Sequence, residues 1–302
     1  MIVLKLTDGL GNQMFQYAYG RYLQILYNEK NLYLDITKLG KNHVREYGLH
    51  YFLLNQNVII PSKFIQYLCR VYVKVLLNLL YRVLRIPTAT QKGVNVFSRC
   101  GLYTNSSYYE YFDFVKTPLP IKFCRGFFQN EKYFKSILPV IKNEFIISPL
   151  KLSEEQLHLI RQINDSESVC IHVRRGDYVG KKRFEVCGKK YYERGMNRIL
   201  SIIPDAKFFL FSNSKQDVEW VRNQYKLEGD IIYVDLGNNE IEDFYTMSLC
   251  KHFIISNSTY SWWAAYLSQN SNKVVVAPKP WVNSSIYQDG IYCEGWHIIN
   301  VA

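Results

Sequence analysis

Apolar and polar positions in the second half of the chain alternate between two rhythms. Short β-branched or aromatic runs at Val169–Val173, Phe208–Phe211, Ile231–Val234, Phe253–Ile255 and Val274–Val276 are separated by stretches of helical spacing near 190–202, 214–225, 240–250 and 259–268. Strand, helix and strand at that spacing predict a parallel sheet with helices on its faces. Ligands of such sheets bind beyond the carboxyl ends of the strands, so the residues just after each run carry the most information.

The first half opens the same way, with a strand at 2–6, a turn holding Gly9 and Gly11, a helix over about 12–28 and a strand at Leu32–Ile36. The pattern then loosens, and Ile146–Leu152, with Pro149 ahead of the helix-starting Ser153-Glu154-Glu155, reads as a linker. Two α/β domains are expected, 1–150 and 151–302, the first carrying a helical insertion over about 55–120. Inside that insertion Phe64–Ile86 is apolar except for Gln66, Arg70, Lys74, Asn78, Arg82 and Arg85, which recur every three or four positions as a narrow basic stripe. The helix either lies on an anionic bilayer or packs on its own domain with the stripe facing water. No run of 18 uncharged apolar residues occurs, so a spanning helix is not expected.

Composition adds a charge to be explained. Lys and Arg number 37 against 26 Asp and Glu, a formal +11 that calls for an anionic partner. Seven of these cations lie between Tyr47 and Tyr109, a span without an acid, and seven more between Arg174 and Lys190. A hydrophobic share of 48% excludes a disordered chain. The seven cysteines form no C-x-x-C pair, so neither a disulfide framework nor a zinc site is indicated, and a reducing cytosol fits. The N-terminus reads as a first strand and not as a signal peptide, which leaves sequons such as those at Asn105, Asn257 and Asn283 without a role.

Three stretches carry candidate chemistry. Cys170-Ile171-His172-Val173-Arg174-Arg175-Gly176-Asp177-Tyr178 sets two guanidiniums, an imidazole and a carboxylate at a strand's end, where Arg forks suit a pyrophosphate and Asp177 can hold one of them. Ser256-Asn257-Ser258-Thr259-Tyr260-Ser261-Trp262 opens a helix, whose N-terminus attracts a phosphate and whose Ser258 and Ser261 hydroxyls can add donors. Asp8-Gly9-Leu10-Gly11-Asn12-Gln13 fails the dinucleotide fingerprint at Met14, yet places two amides at a helix start, where they can bind a sugar hydroxyl or a phosphate. No Asp-x-Asp, P-loop, H-E-x-x-H or G-x-S-x-G is present, so activation of a diphosphate leaving group falls to Arg and helix termini, with no metal or other cofactor expected.

In this order the G-L-G-N-Q-M-F-Q-Y-A start, the H-x-R-R-G-D-Y block, Phe211-Ser212 with Trp220-Val221, and Met247-Ser248 through Trp262-Trp263 resemble the bacterial α-1,2-fucosyltransferases of glycosyltransferase family 11. The resemblance implies a GT-B-type fold, two Rossmann-like domains with parallel sheets facing a cleft, the N-terminal one on the acceptor side and the C-terminal one holding GDP-β-L-fucose. It implies inverting, metal-independent transfer of fucose to the 2-hydroxyl of a β-galactoside, free or lipid-linked, in surface-glycan synthesis such as that of O-antigen. Arg174 would neutralise the departing β-phosphate, with His172, Arg175, Asp177, Ser212, Asn257, Ser258, Thr259, Ser261 and Trp262 on the donor side. Asn12 and Gln13 would meet the acceptor, Asn12 near the reacting sugar. The chain departs from the family at Asp8, where Gly is usual, at Asn213-Ser214, where Asp-Asp is frequent, and at Phe184-Glu185, where many members have His-Gly. Asp8 and Glu185 are the carboxylates to test as base, ahead of Asp177. Alternatives are a different nucleotide sugar or linkage on the same fold, or a nucleic-acid-binding protein. The basic run at 174–190 is not interleaved with aromatics, which argues against nucleic acid. The expected location is cytoplasmic, peripheral on the inner membrane face should 64–86 dock there.

Overall fold

A computed structural model describes residues 1–40, 45–104, 106–237 and 239–301; the sequon at Asn105 lies outside the described residues. The chain forms two α/β units, Met1–Ser148 with Tyr287–Ile291, and Pro149–Ile286 with Tyr292–Ala302. Both sheets are fully parallel and Rossmann-like, as the sequence pattern predicts.

The first unit begins with β1 (Ile2–Lys5), α1 (Leu10–Leu26) and β2 (Leu32–Asp35), followed by the two-residue β3 (Val58–Ile59). Then come α2 (Lys63–Leu77), a π-helical turn at Asn78–Val83, α3 (Gln91–Arg99), β4 (Leu102–Thr104), β5 (Lys122–Arg125) and α4 (Leu138–Glu144). The strand order is β3-β2-β1-β5-β4, all parallel. The helix α1 packs closely on β1 and β2 at Gly20, where an added Cβ would fall 2.8 Å from the Leu4 side chain. Parallel strands need both faces covered, and Ile2, Leu4, Leu32 and Leu34 are fully buried accordingly.

The second unit runs α5 (Glu154–Asn164), β6 (Glu167–Val173), α6 (Lys189–Leu200), β7 (Ala206–Ser212), α7 (Lys215–Tyr225), β8 (Ile231–Tyr233), α8 (Glu240–Leu249), β9 (His252–Ile254), α9 (Thr259–Leu267), β10 (Val275–Lys279) and β11 (His297–Asn300). Reciprocal capping boxes at Ser153/Gln156 and Asn239/Glu242 start α5 and α8 by satisfying first-turn amides. Strand order β8-β7-β6-β9-β10-β11 is the 3-2-1-4-5-6 order of a dinucleotide-binding sheet, with its switch point between β6 and β9. Val169, Ile171, Phe208, Leu210, Tyr191 and Tyr192 form the core between that sheet and its helices.

The insertion follows the second of its two sequence expectations. Its helix does pack on its own unit, through Cys69 and Leu80 against Phe97, Leu102 and Phe123. The cations of the stripe, Arg70, Lys74 and Arg82, are solvent-exposed and with Asn78 line one side of an open cavity, and Phe64, Leu68, Val71, Val75 and Leu79 on the same helix are exposed as well. Lys63–Val83 is also long and apolar enough, by length and composition, to cross a membrane.

Candidate active site

The switch point of the second unit collects two of the three motifs. Strands β6 and β9 are neighbours, so the residues that follow them, from Arg174 and from Ser256, emerge side by side. Between the two motifs His172 is buried, and its Nδ1 lies 2.9 Å from Ser256 Oγ. Burial, with Arg174 adding to it, pushes the His172 pKa down to about 3, so the ring is a neutral hydrogen-bonding strut between the strands.

Arg174 is the first residue past β6. Its Nη2 donates to Asp177 Oδ1 at 2.7 Å, its guanidinium lies 5.4 Å from the Tyr178 ring, and its buried Nε has no hydrogen-bond partner among the described residues. A buried guanidinium nitrogen with nothing to donate to is costly unless a ligand supplies an acceptor. The adjacent Arg175 is engaged within the protein: its Nε donates to Asp217 Oδ1 at 3.1 Å and its guanidinium stacks 3.3 Å from the Trp220 ring centre. Its backbone N–H donates to Asn213 Oδ1 at 2.8 Å. The chain turns at Gly176, whose φ of +41° and whose contact with the Asn213 side chain both disfavour a larger residue.

The structure gives several expected donor contacts other work. Ser212 Oγ donates to the Val173 carbonyl at 2.7 Å and ties β7 to β6. Ser261 is fully buried and donates to the Ser258 carbonyl, and Trp262 is fully buried against Trp263 and Tyr266, so neither presents a surface to a nucleotide. Ser258 is the N-cap of α9 and accepts from Tyr260 N, leaving half-buried Thr259 as the first residue of the helix's positive end. Asn257 donates to the Phe184 carbonyl at 2.8 Å, while its own carbonyl accepts from the Tyr178 hydroxyl, so it pins the 178–187 loop. Exposed Glu185 closes the same loop by accepting from Gly180 N at 3.2 Å.

In the first unit Gln13 is fully buried and satisfied, donating to the Asp8 and Glu46 carbonyls and accepting from Gly48 N. It shapes the turn and, fully buried, presents no surface to an acceptor. Half-buried Asn12 accepts from Gln129 Nε2 at 2.6 Å. Asp8 is exposed with φ of +68°, a left-handed conformation that costs Gly nothing and that Asp tolerates, which accounts for the Gly usual at this place in the resembling family. Among the described residues no three His, Cys, Asp or Glu converge on a metal position.

Asp217 and Trp220, which hold Arg175, were not among the expected site residues. The signal was present as Ser214-x-x-Asp217 directly after a strand: Ser214 Oγ accepts from Asp217 N and donates to Asp217 Oδ2, a cap that fixes the carboxylate beneath the Arg loop.

Comparison with known proteins bears on this arrangement. The chain is 30% identical over 294 residues to an α-1,2-colitosyltransferase of Escherichia coli, covering 93% of this chain and 92% of that one. It is 28% identical to the O-antigen biosynthesis glycosyltransferase WbnK of Escherichia coli, covering 91% and 93%. Among solved structures, the fucosyltransferase NodZ from Bradyrhizobium matches with a TM-score of 0.45 at 13% identity, over 87% of this chain and 91% of that one. The model of Glycosyl transferase family 11 matches residues 1–300, and the chain belongs to that family of glycosyltransferases.

Proposed function

We propose that the protein transfers L-fucose from GDP-β-L-fucose to the 2-hydroxyl of a terminal β-galactoside, with inversion and without a metal, in the synthesis of a bacterial surface glycan. The observation that carries this reading is Arg174, fixed by Asp177 at the switch point beside the start of α9 with its Nε unpartnered. The second unit takes the donor and the first unit the acceptor. The reaction is one in-line displacement through an oxocarbenium-like transition state. The acceptor oxygen forms its bond to the anomeric carbon as the bond to the GDP β-phosphate oxygen breaks, and the acceptor proton passes to a base. Arg174 and the α9 N-terminus take up the charge that grows on the diphosphate. Asp8 and Glu185, both exposed carboxylates, are the base candidates.

Arg174→Ala is expected to lower kcat by about 10²–10³, the typical loss of one such donor, with an unchanged circular dichroism spectrum. A folded variant within a few-fold of wild type would remove the assignment. EDTA is expected to leave the rate intact. The identity to a colitosyltransferase supports a second donor reading, because colitose is fucose without its 3-hydroxyl. Turnover of GDP-fucose against GDP-colitose, with the product linkage read by NMR, separates the two.

The location that accompanies this function is cytoplasmic and peripheral, with the exposed apolar face of α2 resting on the membrane's inner surface.

A further inference from the structure

The first unit has a switch point of its own, between β1 and β5, and a cavity of about 1280 Å3 opens there. Lys5 enters it from the end of β1, Arg125 from the end of β5 and Lys38 from the loop after β2. Solvent-exposed Arg70, Lys74 and Arg82 add to its lining from α2 and the turn that continues it. None of these six has a carboxylate within ion-pair distance among the described residues. Two carboxylates share the lining, and that of Asp35 is committed to the Thr37 amide and hydroxyl at 3.0 and 2.6 Å. The cations sit close enough to act on one another: burial, and after it Arg125, hold the Lys5 ammonium below the usual lysine range, with Lys38 and Arg70 adding to the effect and Asp35 opposing it.

We propose that this cavity is an anion site for the acceptor, taking a phosphate or diphosphate carried by the glycan's reducing end, so that the acceptor substrate is a phosphorylated, lipid-linked glycan and not a free sugar. This rests on the glycosyl-transfer reading above. Asp8, on the turn assigned to the acceptor, lines the same cavity, so one ligand can occupy both. A stacked Tyr108–Phe127 pair with ring centres 4.7 Å apart also lines it and offers a flat apolar face of the kind sugars pack on. The helix that lends exposed Arg70 and Lys74 to the lining also exposes Phe64 and Val75, at 69% and 62%, so cations and apolar side chains meet on one helix as they must where a diphosphate joins a lipid.

The test measures transfer from GDP-fucose to a β-galactosyl disaccharide, either neutral or carrying an alkyl diphosphate. Wild type is expected to show a KM at least tenfold lower for the diphosphate form. The double variant Arg70→Gln, Lys74→Gln is expected to lose that preference while KM and kcat for the neutral sugar stay within twofold. Equal KM values in wild type, or an equal rise for both acceptors in the variant, overturn the proposal. Calorimetry with inorganic pyrophosphate, run with saturating GDP to fill the donor site of the second unit, gives a readout independent of turnover, with binding expected for wild type and lost in the variant. Absence of transfer to both acceptors would count against the activity alone, whereas absence of pyrophosphate binding to folded wild type would count against the site alone. Displacement of pyrophosphate by phosphatidylglycerol vesicles but not by the diphosphate acceptor would make the cations a headgroup contact and refute the acceptor assignment.

Discussion

At the scale of single residues the turn at Asp8 joins conformation to chemistry. Its φ of +68° is where Gly is at ease, Asp is tolerated and Ala is strained by its Cβ, a difference of about 1–2 kcal/mol. Asp8→Gly is therefore expected to melt at or slightly above the wild-type temperature, and Asp8→Ala to lose about 1 kcal/mol. Turnover separates the two roles open to this residue: if Asp8 is the base, both variants lose transfer despite their opposite effects on stability, and if it is only a turn residue, Asp8→Gly turns over normally. Residue roles were the least legible part of the sequence. Gln13, Ser212 and Ser261 have the right chemistry at the right strand ends, but all three are buried and already hydrogen-bonded to the fold, Gln13 with Gly48 N and both hydroxyl protons with the Val173 and Ser258 carbonyls. Residue type says what a side chain can bond to, and only the fold says what has already claimed it.

Elements were more legible where they were long. Unbroken apolar runs located β6, β7 and β9 to within two residues because a parallel strand covered on both faces has no polar side to obscure it. The strands β3 and β4, of two and three residues, are too short to carry a period, and β11 at the sheet edge alternates in exposure. The helix α2 shows a different limit. Its 3–4 spacing of polar residues correctly marks a stripe, but periodicity alone cannot say which face meets protein. Exposed cations and exposed apolar side chains share this helix, and burial of the apolar ones is the larger source of attraction to a bilayer. Phe64→Ser, Val75→Ser, Leu79→Ser is accordingly expected to abolish flotation with phosphatidylglycerol vesicles, while Arg70→Gln, Lys74→Gln reduces it less. Equal flotation of wild type with and without vesicles would remove the membrane contact altogether.

For the molecule as a whole, the excess of positive charge resolves into two surfaces, the cavity of the first unit and the 174–190 segment of the second, while buried His172 and His252 and half-buried His297 set how the fold answers acid. His172, His252 and His297 all belong to the second unit, and burial lowers each of their pKa values, His172 to about 3. An unfolded histidine binds its proton near pH 6.5, so below that pH the unfolded chain holds more protons than the folded one, and stability falls as pH falls. Above about pH 7 these residues contribute no slope. The carboxylates held low by ion pairs, such as Glu167 beside Lys251 and His252, lose their contribution only as pH drops below their ordinary range near 4.5, so the interval from 6.5 to 5 belongs to the histidines. One buried histidine supplies at most about 1.4 kcal/mol per pH unit there. All five tryptophans, Trp220, Trp262, Trp263, Trp281 and Trp296, lie in the second unit, so their fluorescence follows that unit alone. Melting recorded by tryptophan emission is expected to be level from pH 8 to 7 and to decline from 6.5 to 5. His172→Asn, which keeps a polar partner for Ser256 without a titratable ring, is expected to flatten that decline, and an unchanged slope in the variant would show that His172 is protonated in the native protein.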